Sequence, residues 1–249
     1  MTRREAFSRT ELLMGNAALE TLWKSRVAVF GVGGVGGYVV EVLARGGVGA
    51  IALFDNDRVS LSNINRQIIA THSTVGELKV DVAKRRILDI SPDCEVTTCP
   101  IFYLPENADE VDLSAYDYVV DCVDTVKAKM ELVRRCQAKR IHLISCMGAA
   151  NKMQANAFKV ADLSETHTDP LAKVLRKQLR KEGIEHVKVV YSEEEPLPPM
   201  VFPPPDTEGQ VERTPASNAF VPASAGLLIG GEVIKDLIAK AGTWRKHTP

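Results

Sequence analysis

The sequence lacks the cysteine pairs that hold structural zinc or build a disulfide framework. Its five cysteines are odd in number, and no two of them form a C-x-x-C pair. Unpaired thiols of this kind are typical of a reducing compartment. We therefore expect a cytoplasmic protein without disulfides and without a zinc knot. The cysteines are Cys94, Cys99, Cys122, Cys136 and Cys146.

Long apolar runs and a strong net charge are also missing. The N-terminal sequence MTRREAFSRTELLMG has no apolar stretch like that of a signal peptide. The best candidate for a membrane span, 219–238, is broken by Pro222, Glu232, Lys235 and Asp236. The formal net charge of −1 excludes a global attraction to nucleic acid, so any such binding must use a local basic patch.

What is present is the composition of a globular protein of 249 residues, 45% of them hydrophobic and 25% charged. Apolar runs alternate with helical patterns as far as residue 150, which predicts an α/β fold with a mostly parallel sheet covered on both faces. We predict a single domain over 1–249, with a core at 25–150 and a C-terminal α+β lobe at 151–249. The predicted strands are 26–31, 50–57, 94–102, 116–124, 141–149 and 186–192, and the main predicted helices are 8–24, 75–90, 125–140, 169–183 and 222–240.

Residues 193–215 interrupt the pattern of strands and helices. They contain seven of the thirteen prolines and begin with the acidic run Glu193–Glu195. A segment of this composition predicts a mobile loop. The helix that follows it, 222–240, is rich in small apolar residues near 223–231, which suggests a surface for a second copy of the chain.

A glycine-rich loop joins the first predicted strand to a helix. Its glycines allow a tight turn and let backbone amides approach phosphate groups at a helix N-terminus. Asp55 ends the next strand, where an acid can bind ribose hydroxyls. These features predict an adenine-nucleotide pocket, and by themselves they leave an NAD-dependent dehydrogenase open. The glycines are Gly31, Gly33, Gly34 and Gly36.

Polar residues then follow the second strand in unusual number. An enzyme that breaks ATP between its α- and β-phosphates builds negative charge and needs cations around the triphosphate, which Arg66 and Lys79 can supply. Asp124 ends another strand, and its carboxylate can hold magnesium. The alternative is that Arg66 and Lys79 are solvated surface cations and that Asp124 caps the next helix. The set also contains Asp57, Asn63 and Gln67.

Four segments together resemble the ThiF/MoeB superfamily of adenylating enzymes. They are GVGGVG, DNDRVSLSNINRQ, VGELKVDVAKRRI and DCVDTVKAK. The resemblance implies a three-layer Rossmann-like adenylating fold that binds ATP and Mg²⁺. It also implies attack of a substrate carboxylate on the α-phosphorus, giving an acyl-adenylate. By this resemblance Asp55 binds ribose, Asn63, Arg66 and Lys79 surround the phosphates beside Gln67, Asp124 binds magnesium, and Arg9 reaches across a homodimer to the partner's ATP.

Two further segments, 162–196 and 220–237, resemble the tRNA threonylcarbamoyladenosine dehydratase branch. That branch implies adenylation of the threonylcarbamoyl carboxylate and then ring closure by a neighbouring carbamoyl atom, which needs no enzyme cysteine. Some members take sulfur from a cysteine desulfurase on a C-terminal cysteine, and residues 213–226 contain none. The alternative is adenylation of the C-terminal glycine of a sulfur-carrier protein. A non-catalytic nucleotide-binding scaffold is the third hypothesis.

A tRNA substrate needs a basic surface, and the predicted helix 169–183 offers one. Its cations recur at i, i+3, i+4 and i+7, while its leucines recur at i, i+4 and i+8 on an inward face. The spacing alone favours a solvated helix face, and the resemblance favours salt-dependent contact with tRNA phosphates. The cations are Lys173, Arg176, Lys177 and Arg180, and the leucines are Leu171, Leu175 and Leu179.

Overall fold

A computed structural model of the chain describes residues 3–198 and 215–244. Within these ranges seven strands form one sheet. They are β1 (Arg26–Phe30), β2 (Ala50–Phe54), β3 (Glu95–Cys99), β4 (Tyr118–Asp121), β5 (His142–Cys146), β6 (Phe158–Asp162) and β7 (Lys188–Ser192). Their order across the sheet is β3-β2-β1-β4-β5-β7-β6. The fold is thus α/β and Rossmann-like, as predicted.

Parallel pairing dominates the sheet because helical crossovers join most consecutive strands. The pairs β1–β2, β1–β4, β2–β3, β4–β5 and β5–β7 are parallel, with Val27 beside Ile51 and Tyr118. Only β6 runs antiparallel, along β7 at the sheet edge. Strand β6, a half-buried edge strand that carries Lys159 and Asp162, is not among the strands predicted from the sequence. Since β6 and β7 complete the same sheet, the C-terminal lobe is continuous with the core.

Eight α-helices cover the sheet in the described residues. They are α1 (Arg3–Ala6), α2 (Ser8–Met14), α3 (Asn16–Lys24), α4 (Gly36–Gly46), α5 (Lys79–Ile90), α6 (Val126–Lys139), α7 (Pro170–Arg180) and α8 (Val221–Lys240). None of these helices has the length and apolar content that a bilayer span requires. The prediction of one helix over 8–24 is wrong, because Gly15 takes the left-handed φ of +88° and separates α2 from α3.

Several predicted elements are shorter in the structure, and the difference matters for the site. The strand predicted over 50–57 ends at Phe54, and the helix predicted over 75–90 begins at Lys79. The acidic residues after Phe54 are therefore in a loop, where their side chains are available to a ligand. Most of the predicted 193–215 loop lies outside the described residues.

Helix α8 packs along α4 through its small residues. A Cβ on Gly226 would lie 2.4 Å from the carbonyl oxygen of Val35, and one on Gly230 would lie 2.6 Å from Cβ of Val42. The small residues near 223–231 are thus used within the chain, and they do not by themselves indicate a dimer contact. The packing holds α4, the helix that follows the glycine loop, against the sheet.

Adjacent glycines of α8 provide a matched test of this packing. We expect Gly230→Ala to lower the free energy of unfolding by about 1–3 kcal/mol, because the added methyl group overpacks against Val42. Gly231→Ala meets no atom within 4 Å, and we expect it to raise that free energy by up to about 1 kcal/mol through helix propensity. Urea unfolding measures both. Equal effects of the two substitutions would contradict the described contact between α4 and α8.

Candidate nucleotide site

A cavity opens where four neighbouring parallel strands end. It has a volume of about 640 Å³ and lies at the carboxyl ends of β2, β1, β4 and β5. Ligands of open α/β sheets bind at this edge, where the strand order reverses. The predicted site residues that line the cavity are Gly31, Gly33, Gly34, Asp55, Asp57, Asn63, Arg66, Gln67, Lys79 and Asp124.

The glycine loop is shaped by close approach of backbone to backbone. Gly31 has a φ of +85°, and a Cβ there would lie 2.7 Å from the carbonyl oxygen of Cys122. A Cβ on Gly36 would lie 1.8 Å from the carbonyl oxygen of Gly31. Gly36 does not line the cavity, and its close approach to Gly31 gives it a packing role, while its nucleotide contact stays a prediction. Gly31, Gly33 and Gly34 form the cavity surface, and Gly36 lets the helix begin against them.

Asp55 joins the second strand to the glycine loop. Its Oδ2 accepts a hydrogen bond from the amide of Val32 at 2.7 Å, and its Oδ1 accepts one from the amide of Asp57 at 2.9 Å. These contacts fix the carboxylate at the cavity wall beside the glycines. Its place matches that of the acid that binds ribose in such folds, and the ribose contact itself stays a prediction.

Lys79 is a buried cation, which excludes its interpretation as a solvated surface lysine. Its side chain is 7% exposed, and its Nζ lies 2.6 Å from Oδ2 of Asp57, whose side chain is 60% exposed. An ammonium group has three protons, so this single contact leaves two donors. Lys79 lines the cavity, so those donors are close to any anion bound there.

Arg66 stands at the cavity with one edge of its guanidinium already held. Its Nη1 donates to the carbonyl oxygen of Ser62 and to Oδ1 of Asn65, both at 2.9 Å. Within the described ranges its Nε and Nη2 make no hydrogen bond. The contacts to Nη1 orient the planar group while leaving donors for a phosphate, which a guanidinium binds well.

Two amide side chains between these cations are buried. Oδ1 of Asn63 accepts from the amide of Ser60 at 3.1 Å, so Asn63 shapes its own loop. Gln67 is 6% exposed, and its Oε1 is buried without a hydrogen-bond partner among the described residues. Buried polar atoms are rarely left unpaired in native proteins. Gln67 lines the cavity, so this atom is consistent with a site completed by a bound ligand.

Asp124 keeps an exposed carboxylate at the cavity. The N-cap of α6 is Thr125, and the only side-chain bond of Asp124 in the described chain accepts from Oγ1 of Thr125 at 3.3 Å. The capping alternative is therefore wrong, and Asp124 has room for a cation. Residues 3–198 and 215–244 contain no group of three His, Cys, Asp or Glu that could hold a metal alone. A magnesium ion here would need phosphate oxygens and water as most of its ligands.

Arg9 is not brought to the cavity of its own chain. It is exposed on α2 and does not line the cavity. Phe7, two residues earlier, packs near Gly47, which precedes β2 at the end of the sheet away from the cavity. A role for Arg9 at the nucleotide therefore requires a second chain.

Two buried ion pairs lie near the cavity, and neither is predicted from the sequence. Nζ of Lys129 lies 3.1 Å from Oδ2 of Asp121 and 2.7 Å from the carbonyl oxygen of Cys146. Nζ of Lys152 lies 3.2 Å from Oδ2 of Asp169. All four charged side chains are at most 1% exposed. Only the first pair leaves a signal in the sequence, because Asp121 lies in the buried strand β4 and Lys129 is set among apolar residues of α6.

Two cysteines lie at the cavity, and Cys146 is buried while Cys122 is partly buried. Cys122 and Cys146 line the cavity, and burial raises the pKa of Cys146 to about 12. Burial also raises the pKa of Cys122 well above its ordinary value. Both thiols are therefore protonated near neutral pH, and a thiol is a poor nucleophile compared with a thiolate.

The basic helix is only partly free for a partner. Arg176 is half-buried, and its Nη1 donates to the carbonyl oxygen of Thr166 at 2.7 Å, so part of its guanidinium is engaged internally and its contact with nucleic acid stays a prediction. Arg180 is exposed and lies 4.0 Å from Glu185. Lys173 and Lys177 are exposed and unpaired within the described chain. The inward leucine face is confirmed, since Leu175 and Leu179 are buried and Leu171 lines the cavity.

Comparisons with known proteins agree with this geometry. The ThiF family model matches residues 7–247. A tRNA threonylcarbamoyladenosine dehydratase of Bacillus subtilis (strain 168) is 48% identical over 93% of the chain and 94% of the relative. One of Escherichia coli (strain K12) is 34% identical over 96% of the chain and 95% of the relative. The crystal structure of E. coli TcdA in complex with ATP matches with a TM-score of 0.84 at 33% identity, covering 96% of both chains.

Replacing Lys79 tests the cavity as a phosphate site. We expect Lys79→Met to weaken ATP binding about 10- to 100-fold, because a hydrogen bond to a charged group contributes about 1.5–3 kcal/mol. Lys84→Met, on the same helix and outside the cavity, is the charge-matched control and should bind ATP normally. Isothermal titration calorimetry measures both affinities. Equal binding by the two variants would show that Lys79 does not contact the phosphates.

Proposed function

The chain belongs to the ThiF family, and on that basis we propose that it catalyses the ATP-dependent dehydration of N6-threonylcarbamoyladenosine in tRNA. The observation that carries the proposal is a cavity lined by the glycine loop, by the buried Lys79 and by residues of the C-terminal lobe. The chain that forms this cavity matches named dehydratases over nearly its whole length. Five free cysteines fit a reaction in the reducing cytoplasm.

The residues at the cavity fit ATP and magnesium. The amides of the glycine loop would face the phosphates, Asp55 would accept hydrogen bonds from the ribose, and Lys79 and Arg66 would offset the phosphate charge. Asp124 would hold a magnesium ion together with phosphate oxygens. When bound, the ion would offset charge on the leaving pyrophosphate.

The chemistry then needs a carboxylate and a nucleophile from the substrate alone. A carboxylate oxygen of the threonylcarbamoyl group attacks the α-phosphorus of ATP, and the bond to pyrophosphate breaks. An atom of the carbamoyl group attacks the activated carbonyl, and AMP leaves with the carboxylate oxygen as the ring closes. Because both reacting groups belong to one molecule, proximity supplies much of the rate. The protonated state of Cys122 and Cys146 is consistent with a path that uses no enzyme thiolate.

The wall contributed by the C-terminal lobe supports a tRNA substrate. Leu171, in the first turn of α7, lines the cavity, while Lys173 and Lys177 on the same helix face solvent. The helix thus connects the reaction site to two exposed cations that suit a phosphate backbone. A sulfur-carrier or desulfurase partner has no comparable support, since no cysteine follows Cys146.

Mass spectrometry of nucleosides tests the function directly. Modified tRNA incubated with the chain, ATP and magnesium should lose one water from threonylcarbamoyladenosine. Arg66→Ala should abolish most of this product, because the substitution removes a cation from the phosphates. Arg85→Ala is the control, since Arg85 pairs with Glu77 on the exposed side of α5 and lies outside the cavity.

The outcome also separates the second candidate function. If tRNA mass is unchanged and a sulfur-carrier protein is adenylated instead, the dehydratase proposal is wrong and the carrier-activating function replaces it. If neither substrate is changed while ATP still binds, the chain is a nucleotide-binding scaffold.

We further infer that the active form is a homodimer. Arg9 is exposed beside Leu12 and Leu13, which are 78% and 72% exposed. Apolar side chains this exposed on one short helix are typical of an interaction surface. The family places an arginine at the position of Arg9 on the nucleotide of a second chain, and this helix would carry it there.

Mixing two inactive variants tests the dimer. We expect Arg9→Ala and Arg66→Ala to be inactive alone and to recover activity when mixed and allowed to exchange subunits. A mixed dimer holds one site with Arg66 from one chain and Arg9 from the other. Nucleoside mass spectrometry measures the recovery, and light scattering checks the mass of the dimer. Activity that stays absent after verified exchange would place Arg9 in the site of its own chain or outside both sites.

A further inference from the structure

The wall of the cavity beyond the glycine loop is built by the loop after β5. Met147, Gly148, Ala149 and Ala150 line the cavity together with Leu171. These residues are small or apolar, and none can donate a side-chain hydrogen bond to a phosphate. The side chains of this wall therefore leave the phosphates to the glycine loop and to the cations on the other side of the cavity.

One buried carboxylate ties this wall to α7. Oδ2 of Asp169 accepts from the amide of Gly148 at 3.0 Å and from Nζ of Lys152 at 3.2 Å. Oδ1 of the same side chain accepts from the amide of Ala172 at 2.9 Å and so caps α7. Nζ of Lys152 donates in turn to the carbonyl oxygen of Gly148 at 2.8 Å. Both polar backbone groups of Gly148 are thus held by the pair.

The residues beside this pair have unusual backbone geometry. Asn151 and Thr168 precede Lys152 and Asp169, and they have left-handed φ angles of +58° and +65°. Such angles are unfavourable at residues with a side chain and persist only where the surroundings enforce them. Asn151 also exchanges hydrogen bonds of 2.8 Å with Ala216, next to the cavity residues Pro215 and Ser217.

The pair contributes geometry more than stability. Its side chains are 1% and 0% exposed. Removing two charges from water largely offsets their attraction, so apolar residues of similar volume are often as stable. The contacts of Asp169 nevertheless set the distance between the first turn of α7 and the cavity wall. The exposed Lys173 and Lys177 lie one and two turns along that helix.

We propose that Asp169 and Lys152 are positioning residues that align tRNA bound along α7 with the nucleotide. The inference rests on the proposed function. Cations on α7 bind phosphates of the tRNA backbone, and the Asp169–Lys152 pair fixes the wall against which the threonylcarbamoyl group lies. Neither residue touches the reacting atoms. Their effect is on the alignment of the carboxylate with the α-phosphorus.

A double variant, Asp169→Asn with Lys152→Met, tests the proposal. Asparagine keeps the oxygen that caps α7, and the pair loses both charges together, so no uncompensated charge stays buried. We expect kcat for tRNA dehydration to fall about 10- to 100-fold, the loss that misalignment by about 1 Å produces. The Kd values for ATP and for fluorescently labelled tRNA should change less than about twofold, well under the 1.4 kcal/mol of a tenfold change.

The matched control makes the same two chemical changes at a distant ion pair. Lys188 lies 2.7 Å from Oδ2 of Asp236 at the end of β7 away from the cavity. The Lys188→Met and Asp236→Asn double variant should keep kcat near that of the unsubstituted chain. It would also reveal any loss that comes from a lower melting temperature alone.

A second variant covers the case in which the first does not fold. Gly148→Ala places a methyl group 2.9 Å from Oδ2 of Asp169 and pushes the carboxylate away without removing charge. We expect the same pattern, a lower kcat with unchanged Kd values. Unchanged kcat in a folded variant overturns the proposal, and so does a higher tRNA Kd with full kcat at saturating tRNA. If the unsubstituted chain makes no product, the proposed function itself fails and takes this inference with it.

Discussion

The nucleotide cavity depends on how closely the backbone after β1 approaches the end of β4. A side chain at Gly31 would lie 2.7 Å from the carbonyl oxygen of Cys122, so only glycine allows the turn. The turn in turn directs the amides of the loop toward the strand ends and lets α4 start at Gly36. Oδ2 of Asp55 accepts a hydrogen bond from the amide of Val32, which ties the loop after β2 to the glycine loop. Both the cavity floor and its rim at the glycine loop follow from this contact.

The charges around the cavity divide according to their access to a ligand. Lys79 is buried, but its partner Asp57 is largely exposed, so the pair borders the cavity and keeps donors free. The pairs Lys129–Asp121 and Lys152–Asp169 are sealed from solvent. Lys129 donates to the carbonyl oxygen of Cys146, and Lys152 donates to that of Gly148. These hydrogen bonds fix the loop after β5. The first kind of cation is suited to bind a phosphate, and the second kind holds the wall that surrounds it.

Local patterns were sufficient to predict the alternation of strands and helices, the parallel sheet and the charged residues that line the cavity. They were not sufficient where the outcome depends on a distant partner. Arg176 belongs to the same series of helical cations as Lys173, yet its guanidinium donates inward to the carbonyl oxygen of Thr166. The strand Phe158–Asp162 forms only because β7 offers it an edge.

The missed ion pairs have the same origin. Lys152 and Asp169 are separated by seventeen positions, and nothing in either local sequence indicates that they meet. The glycine loop is the opposite case, because its geometry requires glycine at fixed positions and therefore leaves a pattern in the sequence.

An activated carbonyl in this cavity meets no enzyme thiolate, since burial keeps Cys122 and Cys146 protonated. A nucleophile within the substrate itself therefore fits this cavity better than an enzyme thiol.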